Sequence, residues 1–408
     1  MEEMKIRFAE AERKTARIKV IGVGGAGCNA VNGMIEAQLA GVEFIAINTD
    51  EQALETSRAQ RCLSIGKTGL GAGADPEVGR QSMEESREKL YDLLTDTDMV
   101  FITAGMGGGT GTGASPIVAQ VARELGILTV AVITKPFIFE GRLRMDRADE
   151  GIRNLKENVD TLILIPNQRL VAIIEKGTPL KDAFRRADQV LLQATRGISD
   201  LICVTGLINL DFADVRAVMS EGGDALMGVG VAKGENRAIE AAQQAIASPF
   251  MEEVSIEGAR AVLANITGNL SFDDYNEASN IVHEAVGDDA NIYIGAVIDS
   301  SMGDEVRVTI IATGFNGGKP VRKPLPSVVT HHHADVSRVI SYRPQRQVVD
   351  RPAMSAPPPA AEPTPVVAKS AGMEATAQAR SITLDRPVMS ASSMDDRSIP
   401  AFLRKQID

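Results

Sequence analysis

The sequence predicts an α/β protein: a parallel-sheet domain joined by a long central helix to a smaller α+β domain, then a disordered tail. Three observations carry this. Apolar, β-branched runs alternate with helix-length segments through the first part of the chain, as strands buried on both faces of a parallel sheet do. Apolar residues recur at spacings of three and four from 178 to 202, the pattern of one long helix. Finally, 12 of the 18 prolines fall between Pro320 and Pro400, while Gly372 is the only glycine after Gly318. Each element follows from local features.

The strand runs are IKVIGVGG at 18 to 25, VEFIAINTD at 42 to 50, DMVFITAG at 98 to 105, LTVAVITK at 128 to 135 and TLILIPN at 161 to 167. Ligands of such sheets sit at the carboxyl ends of the strands, where this sequence places its glycines. The long helix is expected to take Thr178 as its cap and Pro179 in its first turn, with Leu180, Ala183, Phe184, Ala187, Val190, Leu191, Ala194, Ile198 and Leu201 on its apolar stripe. Helices are expected near 212–220, 235–248 and 271–286, and strands near 225–232, 258–267, 291–299 and 305–314. The domain boundaries implied are an N-terminal extension 1–16, a parallel-sheet domain 17–177, the central helix 178–205, a second domain 206–318, a linker 319–394 and a terminal peptide 395–408.

Charge divides with the prolines. The net charge is −11, and residues 319–408 hold 13 Lys and Arg against 8 Asp and Glu, which leaves −16 for the body. An acidic body argues against broad nucleic-acid binding, which needs clustered Lys and Arg. Cys28, Cys62 and Cys203 are scattered without a CxxC pair, so no disulfide framework or zinc site is expected, in keeping with a reducing cytosol. The first residues are charged without an apolar h-region, and no run approaches about 18 apolar residues, so direct membrane insertion is not expected. The proline- and alanine-rich linker cannot bury enough surface to offset chain entropy. At its end Ile399, Phe402 and Leu403 recur at helical spacing beside Arg404 and Lys405, a pattern that fits either a docking element or a frayed terminus. His331 to His333 have no fixed geometry there.

Two glycine loops point to the chemistry. Gly22-Val-Gly24-Gly25-Ala-Gly27 fits GxGxxG directly after a strand, and with Asp50 ending the next strand it permits a dinucleotide site, hence an NAD-dependent oxidoreductase. Gly105-Met-Gly107-Gly108-Gly109-Thr110-Gly111-Thr112-Gly113 again follows a strand, with amides free for one anion and Thr110 and Thr112 as hydroxyl donors. A second loop implies a triphosphate gripped from two sides. Gly66-Lys67-Thr68 lacks the leading glycine of a Walker A motif, because Arg61 stands there. Phe184 and Asp188 lie one helical turn apart, offering a stacking face and a carboxylate that can accept from N1–H and N2–H of guanine, with Asn167 assisting. As an isolated pair they read as a core aromatic and a solvated charge. Glu140 and Arg144 at i,i+4 read as a surface ion pair, and Asp211 with Asp214 as a helix cap and first-turn acid.

GMGGGTGTG, with GVGGAGCNAV, GLGAGADPEVG at 69–79, TKPFIFEGRLRM at 134–145 and GLINLDFADVRAVMSE at 206–221, resembles the tubulin/FtsZ family of GTPases and its bacterial cell-division members. The terminal IPAFLRKQ resembles their C-terminal peptide. The resemblance covers about residues 17–318 plus that peptide. It implies that Gly24, Gly25, Ala26, Gly27, Cys28 and Asn29, together with Gly107, Gly108, Gly109, Thr110 and Gly111, bind the phosphates of GTP or GDP. It further implies that Ala72 and Gly73 approach the γ-phosphate, that Glu140 and Arg144 contact ribose and phosphate, and that Asn167, Phe184 and Asp188 hold the base. Asn209, Asp211 and Asp214 would serve the nucleotide of the next subunit in a head-to-tail filament, with Mg²⁺ carried by GTP. Ile399, Pro400, Phe402, Leu403 and Arg404 would bind a membrane-tethering division adaptor such as FtsA, placing filaments in the cytoplasm at a mid-cell division ring. A paralogue that binds GTP with little turnover stays open. Cys28 stands where the family usually has glycine, and Gly222-Gly223 where it continues a helix.

Overall fold

The computed structural model describes residues 16–315 except 176, 205, 209, 221, 222, 252–255 and 288. The expectations for Asn209, Gly222, the N-terminal extension, the linker and its His331 to His333, and the terminal peptide with Ile399, Pro400, Phe402, Leu403 and Arg404 fall outside those residues. The described residues belong to one compact unit.

The chain begins with β1 (Ile18–Val23), α1 (Gly24–Glu36), β2 (Val42–Asn48), α2 (Glu51–Glu55), β3 (Arg61–Ser64), α3 (Pro76–Glu85) and α4 (Arg87–Leu94). It continues through β4 (Met99–Gly105), α5 (Thr110–Glu124), β5 (Leu128–Lys135), α6 (Arg142–Lys156), β6 (Thr161–Pro166), α7 (Asn167–Leu170) and α8 (Leu180–Cys203). The remainder is α9 (Phe212–Ser220), β7 (Gly223–Lys233), α10 (Arg237–Ile246), β8 (Ala261–Gly268), α11 (Phe272–Val286), β9 (Asn291–Ile298) and β10 (Glu305–Thr313).

All ten strands form one sheet in the order β3-β2-β1-β4-β5-β6-β7-β10-β8-β9. From β3 to β6 every pairing is parallel, and β6 joins β7 in parallel over three residue pairs. Beyond that β10 runs antiparallel to β7 and β8, so the second half is mixed. The strands alternate between two apolar layers. Val20, Phe101 and Val130 face α1 and α8, while Ile21, Ile102 and Ala131 face α3, α4 and α5. Burial on both faces is why the runs read as continuously apolar.

Helix α8 covers both halves of the sheet. Its 24 residues make it about 36 Å long. Gly197 lets it close on the second half: a Cβ there would lie 2.6 Å from Thr309 Cγ2, and the Gly197 carbonyl accepts from Asn265 Nδ2 at 3.1 Å. Its start differs from expectation. Thr178 does not cap it; the Thr178 hydroxyl donates back to the Glu175 carbonyl at 2.8 Å, and Pro179 occupies the cap position. Helix α9 ends at Ser220, and Gly223, at φ 97°, opens β7.

Candidate functional site

The order of the sheet reverses between β1 and β4. Strands β2 and β3 continue to one side and β5 and β6 to the other, which leaves a crevice at the carboxyl ends of the two central strands. Val23, the last residue of β1, pairs with Ala104 near the end of β4, so the loops that follow emerge side by side. They touch. Gly24 has φ 72°, and a Cβ on it would lie 2.9 Å from the Gly111 nitrogen; a Cβ on Gly105 would lie 2.7 Å from that of Ala26.

The helices these loops open have no side-chain cap and no acid in their first turns. Three other helices carry side-chain caps, Asp50 on α2, Asp75 on α3 and Ser271 on α11, whereas α4, α6, α7, α8 and α10 start without one. The first amides of α1 and α5 are thus left for a ligand, and both helix dipoles favour an anion there. Gly25 and Gly108 have nothing within 4 Å of an added Cβ, while a Cβ on Gly27 would lie 2.4 Å from the Thr103 carbonyl oxygen. Gly25, Ala26 and Asn29 are exposed.

Cys28 is buried beneath this turn, and burial pushes its thiol up to about 12. It is a small packing residue against Ala46 and Leu54 rather than a reactive thiol. Thr110 is also inside, its Oγ1 2.6 Å from that of Thr49. Thr112 turns inward, its oxygen accepting from the Gly107 N–H at 2.8 Å, so it shapes the loop.

The GLGAGAD segment closes a third side. Gly71, Gly73 and Ala74 have φ of 86°, 57° and 61°, and the Cβ of Ala72 lies 2.7 Å from where one on Gly109 would stand. Ala74, Gly107, Gly108, Gly109, Glu140, Leu143, Arg144 and Arg147 line a cavity of about 380 Å³. A larger one of about 580 Å³, lined by Arg17, Lys19, Gly41 and Glu43, opens at the amino ends of β1 and β2, away from the loops.

Glu140 and Arg144 do pair, at 3.2 Å, but Glu140 is not on the surface: its side chain is 9% exposed. It ends a 3₁₀ turn, Ile138–Glu140, and its Oε1 accepts from the Phe137 N–H at 2.8 Å. That turn carries the site toward α8. Phe137 stacks on Phe139 at 4.9 Å and meets Phe184 edge-on at 5.5 Å. Phe184 is 39% exposed and so is not core. One turn on, Asp188 is half-buried, and desolvation alone raises its carboxyl to about 6. Asn167, 5% exposed, has an Oδ1 with no hydrogen-bond partner. A half-buried acceptor and an orphaned amide oxygen beside an exposed aromatic face suit a ligand that brings N–H donors.

Asp211 and Asp214 stand elsewhere. Asp211 Oδ1 accepts from the Asp214 N–H at 2.9 Å at the start of α9, and Ile208 bridges to Ala296 of β9. Among the described residues no hydrogen bond or ion pair joins them to the glycine loops. Asp50, the acid of the dinucleotide alternative, accepts from Gln52 N and Ala53 N. It is a helix cap, and the second glycine loop lies against the first, which removes the support for an NAD site. Thr49, Ala74, Phe137, Leu143 and Arg147 went unread in the sequence. Only the PFIF aromatics and the i,i+3 arginines hinted at any of them.

Residues 17–175 match the GTPase-domain model of the tubulin/FtsZ family, and residues 223–316 match the FtsZ-family C-terminal domain. The fold is similar to a point mutant of FtsZ from M. jannaschii at 44% identity and TM-score 0.71, covering 74% of this chain and 91% of that one. It is similar to the empty FtsZ dimer of M. jannaschii at 43% identity and TM-score 0.72, covering 75% and 90%. CetZ2 of Haloferax volcanii, in a GTPγS-bound protofilament, shares the fold at 19% identity and TM-score 0.63, covering 73% and 93%.

Proposed function

From the premise that the chain belongs to the tubulin/FtsZ family, and is a guanine-nucleotide-binding GTPase and a polymerising cell-division protein, we propose how its residues divide the work. The segments Gly24 to Asn29 and Gly107 to Gly111 hold the phosphates through the amides that their helix starts leave free, the Gly107 N–H being spent on Thr112. Ala72, Gly73 and Thr110 flank the terminal one, since Ala72 abuts the residue before Thr110. The observation that carries this is the pair of adjoining, uncapped helix starts. Donors fixed in place before the phosphate arrives stabilise its developing charge without reorganisation.

Phe184 stacks on the base, while Asp188 and Asn167 read its edge. Glu140 and Arg144 reach ribose and phosphate. The groups around the loops are amides and hydroxyls, which suit an anion. Mg²⁺ would therefore be held by the nucleotide's phosphate oxygens and water, neutralising charge there.

Base recognition should depend on pH. The carboxyl of Asp188 titrates near 6 in the empty chain, and its raised value means the ionised form is costly to the fold. Stability from this group is full below its unfolded value and lost as pH rises through about 6. Guanine needs the ionised form, so GTP affinity should fall as pH drops from 7 to 5 and the preference over ATP should narrow. A fluorescent GTP titration across that range tests it; Asp188→Asn should flatten the profile, and an unchanged slope would remove Asp188 from the base site.

Hydrolysis is assigned to the junction of two subunits, where Asp211 and Asp214 of one copy, with Asn209, polarise the water that attacks GTP on the next. A heterologous contact of this kind propagates as an open filament. GTP turnover per subunit should then rise steeply above a threshold protein concentration. Strict proportionality from the lowest concentration would place the whole site in one chain. We further assign Ile399, Pro400, Phe402, Leu403 and Arg404 to a membrane-bound adaptor such as FtsA, which would bring filaments to a mid-cell ring. Among the described residues no helix is long and apolar enough to cross a membrane.

A further inference from the structure

We infer that Thr49 is a positioning residue for the terminal phosphate: it orients the Thr110 hydroxyl and ties that contact to the loop 65–71. The inference rests on the assignment of Gly107 to Gly111 to the phosphates.

The two hydroxyl oxygens lie 2.6 Å apart, both buried, and either can donate. Thr49 is itself fixed from both sides. Its N–H donates to Asn48 Oδ1 at 2.9 Å, and its carbonyl accepts from the Gly71 N–H at 3.0 Å. Its neighbours hold the same loop: the Asn48 carbonyl accepts from the Ile65 N–H and the Gly69 carbonyl from the Glu51 N–H, each at 3.0 Å. The residue that touches Thr110 by its side chain therefore belongs to the short segment that carries loop 65–71 on its backbone. That loop bends at Gly66, Gly69 and Gly71, all at positive φ. Between it and α3 lies a cavity of about 210 Å³ bordered by Thr49, Gly66, Gly71 and Ser82, so the loop has room to shift.

Proton counting gives the pair a direction. A hydroxyl has one proton. When Thr110 gives its proton to a terminal phosphate oxygen, Thr49 must be the donor between the two, and a hydroxyl that accepts a hydrogen bond is the stronger donor to the next group. With a nucleoside diphosphate that oxygen is absent, and the Thr110 proton has the Thr49 oxygen as its acceptor. The pair therefore favours the triphosphate specifically, and each reversal changes what Thr49 can offer beside the loop.

The test compares Thr49→Val, which keeps the shape and removes the hydroxyl, with Thr49→Ser, which restores it, in the full chain. Dissociation constants for GTPγS and GDP, kcat and KM for GTP, and the thermal midpoint are measured together. Thr49→Val is expected to weaken GTPγS about tenfold and GDP less than about twofold, with KM rising more than kcat falls, and Thr49→Ser is expected to return the GTPγS-to-GDP ratio to that of the parent. Equal losses for both nucleotides, no loss for either, or a serine variant that behaves as valine would each overturn the inference. Should Thr49→Val not fold, Thr49→Ala takes its place with the same criteria. Thr110→Val separates the two levels. If it leaves GTPγS affinity intact, the phosphate assignment of the second loop fails; if it weakens GTPγS while Thr49→Val does not, only the role of Thr49 fails.

Discussion

Asp214→Ala is expected to lower GTP turnover by on the order of 10²–10³-fold while leaving nucleotide affinity within about twofold. The structure makes this a cleaner experiment than removing Asp211. The cap of α9 belongs to Asp211, whose Oδ1 accepts from the Asp214 N–H at 2.9 Å, so Asp211→Ala loses a helix cap of about 1 kcal/mol along with any catalytic role. Among the described residues the Asp214 carboxylate makes no hydrogen bond, and its backbone N–H keeps the one to Asp211 after the change. A fall in both activity and thermal midpoint for Asp211→Ala, against activity alone for Asp214→Ala, would separate the two functions. Retained turnover in filaments of Asp214→Ala would end the assignment.

Gly24→Ala is expected to weaken GTP binding about 100-fold or more. The residue sits at φ 72°, a conformation that costs a non-glycine residue about 1–2 kcal/mol. The added methyl would also stand 2.9 Å from the Gly111 nitrogen. Relief requires the two loops to part, and parted loops no longer present their amides to one triphosphate. Gly33→Ala on the same helix is the control: nothing lies within 4 Å of its added methyl, and exchanging a mid-helix glycine for alanine should raise stability by about 0.5–1 kcal/mol. Isothermal titration with GTPγS and a thermal melt of both variants decide it. Equal affinity in Gly24→Ala would show that the loops need not touch.

The two variants also test the shared site when mixed. At GTP concentrations below its weakened dissociation constant Gly24→Ala stays largely unloaded but keeps Asp214, and Asp214→Ala loads nucleotide but lacks the acid. Where the first follows the second in a mixed filament, a complete site forms. Turnover in the mixture should exceed the sum of the separate preparations, and simple additivity would argue that each chain works alone.

Legibility in the sequence tracked burial and local bonding. Strands buried on both faces, such as Leu128–Lys135, were read to the residue because their apolar run is unbroken. The edge strand Arg61–Ser64 was not, since two of its four residues are exposed and it carries no run to detect. Thr178 has the right chemistry for a cap, but its hydroxyl is taken by Glu175. Asp50 looked like a ribose ligand from its place after a strand, and local geometry made it a cap instead. Phe184 and Asp188 lie one turn apart on α8, as helical spacing requires. That Asp188 is desolvated rather than solvated, and that the Asn167 amide oxygen is orphaned, depends on residues brought in from other elements.

The sequence by itself determined the two glycine-opened helices without capping side chains, because capping and glycine freedom are properties of a few consecutive residues. It also placed the aromatic and the carboxylate one turn apart on the long helix. Only the tertiary structure decided that the two loops lie against each other. Strand order is set by pairing between residues far apart in the chain, and nothing local distinguishes a β1 that lies beside β4 from one that does not. Once Val23 is paired with Ala104, Gly24 meets Gly111 and the crevice exists. Among the described residues Asp211 and Asp214 share no bond with those loops within a single chain, which is why their proposed role needs a second copy.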